Sequence, residues 1–165
     1  MRILAATLIA AAVSIAALHA QQTDGSIDPP AGARAVLEAK GVGFQVYACT
    51  ETQTGPKWVL MAPDAKLLDA SGKTIGSHFA GPTWKLEDGS QVQGERIAGR
   101  PAPEAGSVAW LLLRSKAGTA TGKLADIAFI RRTETHGGAA SESACPTGDT
   151  SRVSYTATYT FYTAK

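Results

Sequence analysis

The chain has 165 residues, with 16 Lys and Arg against 14 Asp and Glu, and 44% of its residues are hydrophobic. That is enough apolar material for one domain with a single sizeable core. Acids and bases alternate without runs at a formal charge of +2, which excludes a nucleic-acid surface built from clustered Lys and Arg.

Met1 and Arg2 precede an alanine-rich apolar segment from Ile3 to Leu18, followed by Ala20 and the polar run Gln21-Gln22-Thr23-Asp24. This is the layout of a secretory signal peptide over residues 1–20, and it is too short to be a comfortable membrane span. Cleavage is expected after Ala20, with export to a periplasm or the extracellular medium. After removal of the signal no membrane span remains, since the longest apolar run is Val108 to Leu113. Residues 21–40, with Pro29-Pro30, read as an extended lead in which Ala33 to Ala39 suits one or two turns of helix. A single β-rich domain is expected over residues 41–165.

Within that domain Val42 to Cys49 alternates apolar and polar residues, as a strand does. Gly55-Pro56 turns the chain, and Lys57 to Ala62 is a second strand that Pro63 stops. Ala70-Ser71-Gly72-Lys73 predicts a hairpin turn because Gly72 accepts positive φ. Lys73 to Phe79 pairs back, and Gly81-Pro82 breaks the run. Thr83 to Leu86 is a short strand before a second turn, Glu87-Asp88-Gly89-Ser90, and Gln91 to Ala98 continues as a strand. Val108 to Arg114 is apolar on both faces and is expected to be the most buried strand, with Trp110 in the core. Lys116 to Lys123 reads as flexible, Asp126 to Thr133 as a strand and His136 to Thr150 as a loop. Ser151 to Thr163 carries the clearest alternation, through Val153, Tyr155, Ala157, Tyr159 and Phe161. Many short strands with frequent turns predict an all-β, mainly antiparallel single domain, a sandwich or a barrel, with one disulfide.

The disulfide would join Cys49 to Cys145, because an even pair of cysteines in an exported chain reads as a bridge. A redox pair or metal thiolates are the competing uses, and no Cys-x-x-Cys supports them. Gly41-Val42-Gly43 lacks the third glycine of a dinucleotide loop, and Gly118 to Lys123 lacks one residue and the hydroxyl of a phosphate loop. No nucleophile elbow and no zinc helix occurs. The chain contains no asparagine, which excludes N-glycosylation.

The chemistry-bearing residues concentrate between Ile75 and Ser90. His78 and Asp88 are the candidate catalytic residues, with Glu87 as the alternative acid, for a hydrolase or a metal-assisted enzyme. Trp84, His78 and Arg131 are the candidate binding residues. Against these stand plainer roles. An imidazole beside Gly81-Pro82 can lock a loop, Asp69 and Asp88 occupy turn-capping positions, and a tryptophan in a β domain usually packs. Arg131-Arg132 reads as a solvated strand end, and His136 lies where Gly137-Gly138 turns the chain. No cofactor and no metal ligand set is implied.

Several blocks together resemble a known family. They are Gly43 to Cys49, Trp58 with Ala62-Pro63, Leu68-Asp69 with Gly72, Ile75 to Trp84, and Asp88-Gly89-Ser90 with Val92 and Gly94. Trp110 to Leu113, Thr135 to Gly138, Cys145 and Tyr155 to Tyr162 complete the series. The chain resembles a family of uncharacterised exported bacterial and fungal proteins, a domain of unknown function. It departs from that pattern at Ala140 and Ser154, where prolines are common, and at His136. The resemblance implies an exported β domain with its two cysteines paired, and no reaction. The function expected from sequence is a non-catalytic module that binds a small ligand, a glycan or an envelope component.

Overall fold

The computed structural model describes residues 26–165, so the expected signal peptide and the polar residues after it lie outside the described residues. Eight strands follow one another: β1 (Arg34–Thr50), β2 (Lys57–Leu68), β3 (Thr74–Phe79), β4 (Thr83–Leu86), β5 (Gln91–Arg100), β6 (Trp110–Gly118), β7 (Ile127–Gly137) and β8 (Thr150–Thr163). Each pairs antiparallel with the next, and β1 pairs with β8, so the sheet closes into an up-and-down barrel. Closure removes the exposed edges that an open sheet of this composition would present. Of the two expected architectures, the protein adopts the barrel.

β1 starts at Arg34, so the segment expected to be a turn or two of helix is strand, and the boundary expected at residue 41 falls inside β1. Alternation was hard to see there because the inward positions include the small residues Ala39, Gly41 and Gly43. Gly41 lies directly under an aromatic ring: a Cβ on it would sit 2.6 Å from Cε2 of Tyr159. The two predicted hairpins form as expected. Gly72 and Gly89 take φ of 83° and 85°, and Asp69 and Asp88 accept backbone N–H groups from Ser71 and Ser90.

Eight strands enclose just enough room for side chains to fill, or for one small ligand. Here the lumen is filled. Leu67, Trp84, Val92, Leu113, Ile130, Tyr155, Ala157, Tyr159 and Phe161 are all buried within it. Leu124, from the β6–β7 connection, is fully buried at one end, where its N–H donates to Ser90 Oγ. At the opposite end the β7–β8 connection is tied to β1 by the Cys49–Cys145 disulfide, across 96 residues of sequence. Cys49 also pairs through its backbone with Asp149 and Gly148.

Two burial expectations change. The most buried strand is the second half of β8, whereas β6 is buried at Leu112 and Leu113 only. Burial on both faces of β6 is thus limited to that one adjacent pair. Trp110 is half-buried on the outer wall. That wall has its own small cover: Ile27 is buried, and Asp28 Oδ1 accepts from Arg131 Nη1 at 3.3 Å. Leu112, Thr160 and Tyr162, which face outward by register, are buried there too.

Candidate functional site

β3 and β4 place His78 opposite Trp84, both directed into the lumen. Their rings stack with centroids 4.4 Å apart and planes within 9°. Tyr159 meets both edge-on, and Phe161 meets Trp84 edge-on. His78 is 2% exposed. Its Nδ1 lies 2.9 Å from the Thr83 carbonyl. A carbonyl only accepts, so Nδ1 carries the proton and the lone pair sits on Nε2. Burial holds the imidazole far below its ordinary value, at about 3, with the Thr83 bond opposing and the charge of Arg132 assisting. His78 is therefore neutral across the physiological range. The bond closes the Gly81-Pro82 turn, which is the loop-locking arrangement.

Asp88 is elsewhere. It lies past the end of β4, four residues beyond Trp84 and on the order of 10 Å down the barrel. Its Oδ1 accepts from Ser90 N and Oγ at 2.9 and 2.6 Å, and its Oδ2 accepts from Lys123 N at 3.0 Å. These bonds, led by the Ser90 hydroxyl, pull its carboxyl down to about 2. Asp88 thus clamps the β4–β5 turn to the β6–β7 connection. Glu87 shares that turn through a backbone bond to Ile75. Neither acid bonds His78, and the described residues hold no cluster of three or more His, Cys, Asp or Glu suited to a metal.

Arg131 points outward, and Arg132 inward. Arg131 lines a groove of about 770 Å³ on the barrel wall with Ile27, Asp28, Arg100, Trp110 and Glu134. Arg100 lies over the Trp110 ring, 4.9 Å from its centroid. A bulge shapes one side of this groove. The β7–β8 register shifts between Thr133 and His136, and Glu134 takes φ of 48°. The bulge swings Glu134 outward to accept from Thr158 Oγ1 at 2.7 Å and turns Thr135 inward. His136 sits at the end of the strand, not in a loop, and its Nδ1 is 2.5 Å from Glu104 Oε2.

Of the candidates read from sequence, then, only His78 and Trp84 meet. Sequence reasoning missed Trp110, Arg100, Arg132, Gln45 and the tyrosines of β8 as polar features. The period-2 alternation of β7 was the available signal for Arg132, since adjacent strand residues face opposite ways.

Residues 30–163 match the family model described as protein of unknown function, DUF3455. The chain belongs to that family. The match takes in all eight strands of the barrel, from the start of β1 to the end of β8. No curated protein and no solved structure matches the chain. For this DUF3455 domain, function must be argued from the side chains themselves.

Proposed function

We propose that this DUF3455 domain is an exported, non-catalytic binding module whose ligand lies in the wall groove between the lead segment and strands β5 to β7. The carrying observation is the groove itself, which combines Arg100 and Arg131 with Asp28 and Glu134 around Trp110. Opposite charges in equal number suit a neutral ligand rich in both donors and acceptors, such as a short glycan. Arg100 occupies a face of the Trp110 ring, so recognition there rests on hydrogen bonds more than on ring stacking. The filled lumen leaves the wall as the larger concave surface. Export is supported by the buried disulfide.

The catalytic alternative, His78 with Asp88 or Glu87, finds less support. Its imidazole is sealed against Trp84, and its acids serve a turn at a distance. Titration calorimetry with neutral cello-, malto- and chito-oligosaccharides tests the proposal. Binding that is lost in Arg131→Ala and weakened in Trp110→Ala is the expected result. Binding indifferent to both substitutions, or hydrolysis lost in His78→Gln, would overturn it.

A further inference from the structure

Closure of the barrel leaves one length of β2 unpaired on one side. At the disulfide-bearing end β1 keeps a partner on each side, β2 as far as Lys57 and β8 as far as Thr150. β3 stops at Phe79, and its ladder with β2 covers only Ala65 to Leu68. Residues 57–64 of β2 therefore have a strand on the β1 side and none on the other. β8, β1 and this half of β2 form a three-stranded extension with β2 at its edge.

That edge is apolar and open. Val59, Leu60 and Met61 are 41%, 49% and 61% exposed, and Met61 is the most exposed large hydrophobic residue among those described. An apolar edge of this kind is a template for another chain, and proteins ordinarily guard it with charges, bulges or proline. β5 shows the contrast. Beyond Gly94 it too lacks a neighbour on the β4 side, but Glu95 and Arg96 stand there beside a bulge. β2 has a bulge at Met61 and a proline at position 63, yet no charge between Lys57 and Asp64. The bulge matters for those two. Seven residues apart, they would face opposite ways in a regular strand. Their partners on β1, Thr50 and Phe44, are six apart, so both face the same way, outward with Phe44. Lys57 has no ion pair, whereas Asp64 holds Arg152 through Oδ2 at 2.7 Å and keeps Oδ1.

We infer that the β2 edge from Lys57 to Asp64 takes a second copy of this chain, edge to edge and antiparallel. The edge is complementary to itself. A two-fold axis between Leu60 and Met61 sets each copy's Lys57 against the other copy's Asp64, on one face, with the apolar residues between them. Pro63 offers no N–H, so the contact rests on side-chain packing more than on a continuous ladder. The two exposed charge pairs fix the register and add little affinity. One cation and one anion at the ends suit a like edge better than an anionic lipid surface, which attracts clustered Lys and Arg. The surface is separate from the wall groove of β5 to β7.

Sedimentation equilibrium of the full disulfide-bonded chain from about 5 to 500 μM tests this. A reversible monomer–dimer equilibrium is expected, with no larger species, because a two-fold contact uses both edges. Met61→Lys should weaken it about tenfold or more. Val36→Lys, at an exposed apolar residue near the other end of β1, should leave it unchanged. Lys57→Asp and Asp64→Lys should each weaken dimerisation several-fold, and the two together should restore it, because the swap keeps opposite charges facing. If Met61→Lys lowers Tm, Met61→Gln at unchanged Tm decides. A monomer at every concentration, or a dimer indifferent to substitution of Met61, would overturn the surface. A double swap no better than either single change would overturn the antiparallel register. A monomer that binds phosphatidylglycerol vesicles, and loses that binding in Met61→Lys, would give the edge to a lipid surface and overturn the second copy.

Discussion

Removing the disulfide is the perturbation whose magnitude follows most directly from topology. Cys49 and Cys145 are separated by 96 residues, so the bridge closes most of the barrel into one loop. Chain-entropy reasoning gives about 4–5 kcal/mol of stabilisation for a loop of that size, acting on the unfolded state. Both cysteines are buried, at 3% and 7% exposure, so Cys49→Ala/Cys145→Ala also loses some packing. For a domain of this size the combined effect is a fall in Tm of roughly 10–20 °C. Urea unfolding of the oxidised, reduced and double-alanine forms, followed by circular dichroism, measures it. The reduced and double-alanine forms should lose similar stability while keeping the β spectrum, because the β1–β8 ladder does not depend on the bridge. A loss below about 1 kcal/mol would refute the reasoning, showing that the unfolded chain is not constrained as the loop model requires.

Four further outcomes are expected. His78→Ala should cost about 3 kcal/mol or more, from the emptied stack on Trp84 and the unpaired Thr83 carbonyl. Chemical denaturation of that variant checks it. In the parent protein His78 is neutral when folded and binds a proton when unfolded below its ordinary value of about 6.5. The unfolded state therefore holds more protons between about pH 3 and 6.5, and stability must fall as pH drops through that window, by up to about 1.4 kcal/mol per pH unit. His78→Phe should flatten that slope in urea midpoints measured against pH, while the loss due to Asp69 and Asp88, whose carboxyls are held low, remains at lower pH. Gly41→Ala should destabilise by about 1–3 kcal/mol, because the added methyl meets Tyr159. Thermal melting with and without Tyr159→Leu should show the two substitutions to be non-additive. Asp88→Ala should lower Tm by freeing the Lys123 segment from the β4–β5 turn, and hydrogen exchange at Lys123 and Leu124 should rise.

The parts of the fold legible in the sequence were those that follow local rules. Gly72 and Gly89 marked their hairpins because each turn needs a residue at positive φ. β8 declared itself by strict alternation, and the cysteine count allowed one pairing. The start of β1 was obscured by small inward residues, which serve the rings of β8 and leave no local trace of doing so. Trp110 looked like core because Leu111 to Leu113 follow it. Its side depends on register with Arg100 and on bulges in β5 and β6 that no single strand reveals. The site was the least legible part. His78 and Trp84 were found together because they are close in sequence. The wall groove gathers residues from Asp28 to Glu134, and only closure of the barrel brings them together.

The central claim is that the wall groove, not the His78 region, receives the ligand. Amide chemical-shift mapping of the labelled protein, with the oligosaccharide panel added in steps, tests it most directly. The account predicts saturable shifts confined to residues 26–28, 99–101, 110 and 131–134. Shifts centred on His78 and residues 80–84, or product signals appearing as the sugar is consumed, would contradict it.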